Sequence, residues 1–278
     1  LRVTSRTSAF AFKGTRQDVR QIGAQLNAGM VLEGSVRKAG ERLRVSAQLT
    51  NVGDGYQVWS DRYDREMKDV FDIQDEISQA IVKTLRVKLL GGERAQLVKR
   101  PTENLEAYNL FLQGRHYWNR QTGESLLKAI GCYQQAVALD PNFAVAYASL
   151  AHCYNLLLNW DAGPARELVP KVEAAARKAL EIDDTLADAH AALGLMRSAW
   201  QFEWEEGERE YRRALDLNPG LADASHGFAM CNLAPRGRFE EAVAQMRRAR
   251  ELDPVSPFVA SCLGWALYLA DRREEAAE

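Results

Sequence analysis

Four histidines at near-regular intervals are the first feature of this 278-residue sequence that suggests chemistry: His116, His152, His190 and His226, at steps of 36, 38 and 36. Such a ladder invites a metal, but ligands must converge to about 2 Å from one ion. In the register of the helical repeats set out below, the four occupy the tenth, ninth, fourth and fifth positions. They therefore point different ways a repeat apart, and no metal site is expected. Cys132, Cys153, Cys231 and Cys262 form no CxxC pair, which excludes a zinc ribbon or a thioredoxin-type centre. Each sits in an apolar helical stretch, where a reduced thiol serves as a small hydrophobe. Arg62 with Asp64, and Asp72 and Asp75 with Glu76, suggest acid–base work. However, Asp69 and Asp72 stand near the start of a helical pattern, where carboxylates complement the helix dipole. No Gly-x-Gly-x-x-Gly follows a strand: Gly91-Gly92 reads as a helix stop, and Gly29, Gly34 and Gly40 as strand ends or close packing. No catalytic residue and no cofactor are expected.

The elements that hold these residues are clearest in the second half. Ala129–Pro141 (AIGCYQQAVALDP), Gly207–Pro219 (GEREYRRALDLNP) and Ala242–Pro254 (AVAQMRRARELDP) align, and Val172–Asp184 (VEAAARKALEIDD) matches with Asp184 in place of proline. Their ends, at 141, 184, 219 and 254, give steps of 43, 35 and 35. A second pattern alternates with them: Tyr147-x2-Leu150-Ala151-x2-Tyr154, His190-x2-Leu193-Gly194, Phe228-Ala229 and Leu263-Gly264. Small residues recur in the first helix of each pair (Gly114, Ala151, Gly194, Ala229, Gly264) and in the second (Ala136, Ala179, Ala214, Ala249), allowing close helix approach. Pro141, Pro219 and Pro254 stop the second helices. From about Thr102 onward the chain therefore resembles the tetratricopeptide repeat family, whose pattern of W-x2-L-G-x2-Y…A-x3-F…P recurs at ~34 residues. The resemblance implies an all-α, right-handed superhelical solenoid over 103–278, about four and a half repeats. About three extra residues fall around Gln121–Ser125 and about nine in Asn159–Pro170, the latter reading as a long inter-helix loop. The fifth repeat starts at Pro257 and ends midway through its second helix, with no polar capping helix. With a first residue other than Met, this leads to the expectation of a piece of a longer chain.

The first third alternates differently. Arg42–Val52 places Leu43, Val45, Ala47 and Leu49 on one face and Arg44, Ser46, Gln48 and Thr50 on the other, a half-buried strand. Met30–Lys38 is a second strand, joined through a turn at Lys38–Glu41, and Tyr56–Tyr63 a third; Leu1–Thr4 reads as another short strand. Gln17–Leu26 and Asp69–Leu89 are helical patterns, the latter with Ile73, Ile77, Ile81 and Leu85 in one stripe. Across Val31–Ser78, the EGSVR strand (Glu33–Arg37), the W-S-x-R-Y-D corner (Trp59–Asp64) and the D-x-F-x-x-Q-D-E-I helix start (Asp69–Ile77) resemble the TolB amino-terminal-like domain. The resemblance implies an α/β domain over 1–95, with a mixed sheet and helices, lacking the family's first strand and helix. A linker would follow over 96–102. Members of that family carry the two modules after a class III adenylate cyclase, a Ser/Thr kinase or a winged-helix domain.

What the solenoid implies is a groove. In the tetratricopeptide arrays that the chain resembles, the first helices line the concave face through the second, fifth, ninth, twelfth and thirteenth positions. In this sequence those are Tyr108, Phe111, Arg115, Trp118 and Asn119, then Val145, Ala148, His152, Asn155 and Leu156. The third helix gives Asp188, Ala191, Leu195 and Ser198, the fourth Asp223, His226, Met230 and Leu233, and the fifth Phe258, Ser261, Trp265 and Tyr268. This face is apolar and aromatic, with Arg115 its one cation, so a protein or peptide partner is expected in it rather than an acidic chain end. Formal charge is −2 overall but split. Residues 1–100 hold 18 Lys and Arg against 12 Asp and Glu, and residues 101–278 hold 18 against 26. No nucleic-acid partner is expected of such a chain. No apolar run approaches the ~18–20 residues of a membrane span, and the unpaired cysteines lean towards the cytoplasm. Self-association through the incomplete sheet edge is a further expectation.

Overall fold

The alternation along Arg42–Asn51 makes it the middle strand of a three-stranded sheet, ordered β1 (Met30–Ala39), β2 (Arg42–Asn51) and β3 (Gln57–Glu66). This computed structural model describes residues 3–66, 70–85, 100–120, 122–160 and 162–277. The chain divides into two compact units, Leu1–Arg100 and Pro101–Glu278.

In the first unit both strand pairings are antiparallel, with Leu49 opposite Leu32 on one side and Trp59 on the other. The mixed sheet expected from sequence is corrected in the described strands. Short turns join each to the next, and a short turn can return only an antiparallel strand. The β1–β2 turn is two residues, Gly40-Glu41, with Gly40 at φ +59°, in the left-handed region that suits glycine. Leu43 and Tyr63 meet Ile73 of α3 (Val70–Thr84), ringed by Val45, Val70 and Ile77. Two short helices precede the sheet: α1 (Arg6–Phe10), capped by Ser5 and absent from the sequence reading, and α2 (Val19–Gln25), capped by Asp18. Val3 and Thr4 are not in a strand. Leu1, Asp69, Leu89, the Gly91-Gly92 stop and residues 96–99 of the expected linker lie outside the described residues. β1 is an edge strand. Its Leu32 and Val36 share the face of buried Leu49 and half-buried Val45, yet stay 50% and 67% exposed.

The second unit is an array of helical hairpins. The first helices are α4 (Leu105–Trp118), α6 (Ala144–Asn159), α8 (Ala187–Met196), α10 (Ala222–Gly227) and α12 (Pro257–Leu269). They alternate with α5 (Gly123–Leu139), α7 (Ala165–Ile182), α9 (Trp204–Leu217), α11 (Phe239–Leu252) and the short α13 (Arg273–Ala276). Two hairpins close on a glycine of the first helix. The Tyr133 ring of α5 lies where a Cβ on Gly114 would come within 2.5 Å, and Tyr211 of α9 repeats this at Gly194 at 2.9 Å. α5, α9 and α11 end two residues before Pro141, Pro219 and Pro254, on the caps Asp140, Asn218 and Asp253, the first two of them extended.

Two features differ from the sequence reading. The stretch expected as loop through Pro170 is already helix from Ala165. Proline withholds a single N–H there, and the carbonyl it leaves, on Arg166, belongs to an exposed residue that water can serve. The first helices of the third and fourth hairpins continue as π-helix, over Arg197–Gln201 and Phe228–Leu233. A π turn holds one residue more than an α turn. Each of these hairpins lies within a 35-residue sequence step, one longer than the ~34 of the repeat pattern, so the π segments absorb the extra residue without shifting the helices that follow.

Candidate functional site: the layer of first helices

Neighbouring first helices are tied by side chains. His152 Nε2 on α6 is 3.1 Å from the Asp188 carbonyl of α8, and Asn155 Nδ2 donates to the Ala192 carbonyl at 3.0 Å. Beyond α10, Asn232 Nδ2 donates to Ser198 Oγ at 2.9 Å and to the Trp204 carbonyl at 2.8 Å. The His226 ring meets the edge of Phe258 on α12 with 4.9 Å between centroids. These contacts link the first helices from α6 to α12 into a layer.

Several expected groove residues are not in that surface. Phe111 is 4% exposed, with ring centroids 5.0 Å from Phe143 and 5.7 Å from Tyr133, and Tyr108, also buried, stacks on it at 6.3 Å. These two rings are core, because a large aromatic face gains more from burial among side chains than from facing water. Asn155 is corrected too: it is buried, and its amide is spent on the Ala192 carbonyl. Ala148, Ala191, Ser198 and Leu233 are likewise buried between helices.

The remaining positions reach solvent. Arg115, Trp118, His152, Leu195, His226 and Met230 are half-buried, and Asn119, Asp188 and Asp223 are exposed. Phe258, Trp265 and Tyr268 are 63%, 58% and 55% exposed, with Trp265 and Tyr268 edge-to-face at 6.0 Å. Around Asp223 the surrounding protein displaces water and pushes its carboxyl pKa up; His152 and His226 work against that shift, and Asp188 and Asp253 add to it. Burial pushes the His226 imidazole down, against the pull of Asp223, which favours the neutral ring.

Elsewhere the chemistry-bearing residues are occupied structurally. His190 Nδ1 pairs with Glu210 Oε2 at 2.6 Å, and His116 sits 3.1 Å from Arg120. Asp72 and Asp75 both pair with Arg100, and Asp64 with Arg44 at 2.7 Å. Among the described residues no three His, Cys, Asp or Glu side chains could hold a metal. All four cysteines are free, and burial pushes the Cys153 thiol up to about 12 and Cys231 up to about 11. Glu208 was missed by the sequence reading. Its carboxylate takes Arg212 at 2.6 Å, Arg236 at 2.6 Å and Arg238 at 2.6 Å. Partial burial raises its pKa, but hydrogen bonds from Arg238, Arg212 and Arg236 outweigh that and hold it at about 2. Nothing local in sequence pairs Glu208 with Arg238, a repeat away.

No family model matches the chain. "Putative adenylate cyclase 3" of Rhizobium meliloti (strain 1021) is 34% identical over 208 residues, 74% of this chain and 35% of that protein. "Transcriptional regulator HilA" of Salmonella typhimurium is 24% identical over 184 residues, 66% of this chain and 32% of that one. The chain spans about a third of the length of these curated relatives. Among solved structures, TTC0263, a thermophilic TPR protein of Thermus thermophilus, aligns with a TM-score of 0.47 at 18% identity, over 74% of this chain and 90% of that one. The hairpin array stands on the chain's own geometry. Among the described residues no helix is long and apolar enough to cross a membrane.

Proposed function

We propose that this chain is a non-enzymatic protein-interaction and regulatory module, in which the tetratricopeptide-type layer of first helices binds a protein or peptide. The observation that supports this reading is the exposure of Phe258, Trp265 and Tyr268 on α12, with the Phe258 ring against His226 of the preceding first helix. Large aromatics left in water on a surface of this kind gain most when a partner buries them. The amino-terminal unit, similar to a TolB amino-terminal-like domain, would relay or position that binding event. Trp265→Ala should weaken partner capture by ~2 kcal/mol or more while the thermal melt stays unchanged. A lowered melt without selective loss of the captured partner refutes the binding role at that position.

A second reading has its own support. The Rhizobium relative is named for adenylate cyclase and shares 34% identity with this chain over about a third of its length. The chain would then be the regulatory half of a signalling enzyme, or of a winged-helix transcriptional regulator; the Salmonella relative is named a transcriptional regulator. Either way the chain alone should show no cyclase, kinase or phosphatase turnover. Activity abolished by a point substitution within it would overturn that.

A further inference from the structure

The exposed part of the first-helix layer has a chemical character that the proposed function leaves open. Asp188 and Asp223 stand one residue inside the starts of successive first helices, α8 and α10, and both residues are exposed. Asp223 lies within electrostatic reach of Asp188, Asp253, His152 and His226. The two histidines lower the Asp223 pKa, but burial outweighs them. His226 is disfavoured as a cation by its burial, and His152 Nε2 lies against the Asp188 carbonyl, 4.0 Å from the nearest carboxylate oxygen. Beside this acidic stretch, Phe258 touches the His226 ring and Trp265 leads away along α12, both rings largely open.

Asp223, a carboxylate that protein has partly stripped of water, with the Asp188 charge in reach, gains from an incoming cation, which replaces lost solvation and relieves repulsion. Open aromatic rings next to them add an apolar anchor and a face for a cation. The array as a whole repeats the sign, with 18 Lys and Arg against 26 Asp and Glu over residues 101–278. An acidic peptide, a nucleic-acid backbone or an anionic lipid surface would meet like charge here.

Resting on the groove reading above, we propose that the carboxy-terminal half of the layer takes a basic peptide segment. A Lys or Arg side chain would sit between Asp188 and Asp223, and a large apolar residue against Phe258 and Trp265.

A random dodecapeptide library displayed on phage and selected on the full chain tests this. The enriched peptides should combine Lys or Arg with Trp, Phe or Leu. A synthetic peptide of the selected consensus should bind Asp188→Asn/Asp223→Asn at least about tenfold more weakly. It should weaken on the unaltered chain as NaCl rises to about 0.5 M. The double variant's melting temperature should not fall, which separates lost recognition from lost fold. A consensus that is acidic or uncharged, bound equally well by the double variant yet lost with Trp265→Ala, overturns the basic segment and leaves the groove reading standing. No enrichment over a control protein, or peptides indifferent to all three substitutions, overturns both. Trp265-dependent dimerisation in light scattering would make a second copy the occupant and overturn the basic segment.

Discussion

Asp223 and Glu208 are carboxylates whose surroundings act in opposite directions. The Asp223 pKa is raised, so the folded chain binds that proton more tightly than the unfolded one, and its contribution turns against folding as pH rises from the usual carboxylate range through the raised value. Asp223→Asn should therefore hold or raise the melting temperature at neutral pH, and the advantage should shrink in acid; a clear loss at neutral pH would refute it. At Glu208 the folded pKa is depressed from 4.5 to about 2. Its stabilisation is complete above the unfolded value and is lost as pH falls from there through about 2. Glu208→Gln should cost about 2 kcal/mol at neutral pH, read by denaturant melts, with the gap closing in that acid window. Phe111→Ala, which empties a core site between Tyr133 and Phe143, should cost ~3–5 kcal/mol, where Trp265→Ala should cost little.

At the scale of elements, the two π segments are the least regular part of the array. They sit where Ser198 and Asn232 bond each other across neighbouring helices. If the extra residue of each 35-residue step is what forces the wider turn, removing one should restore an α-helix and leave the partners in register. Deleting Ala199, half-buried within Arg197–Gln201, should yield a chain that still melts cooperatively with undiminished helical circular dichroism. Loss of the cooperative transition would show that the π geometry is required by packing rather than by length. The hairpins and their stops were legible in sequence because spacing alone produces them: small residues at fixed positions, and proline two residues past the ends of α5, α9 and α11. The π turns were not, since a one-residue surplus in the repeat does not say which turn will hold it.

On the scale of the whole molecule the chain is two compact units, Leu1–Arg100 and Pro101–Glu278, of opposite net charge. Residues 101–278 expressed alone should fold, with a cooperative thermal transition and helical circular dichroism; an unfolded product would show that the array depends on the first unit. The sequence by itself determined the hairpin array, the sheet strands and the tight turn at Gly40, because periodicity, glycine and proline act within a few residues of where they stand. It also put Asp188, Asp223, Phe258 and Trp265 in the repeat register shared by the first helices. Only the tertiary structure decided which positions of that register stay open. Tyr108 and Phe111 share the register of Phe258 and Ser261, yet neighbouring rings bury the first pair and leave the second in water. Burial depends on what the adjacent hairpin presents, and the Glu208 cluster likewise forms from arginines a repeat away. Such contacts are fixed by packing between elements, on which a helix's own periodicity carries no information.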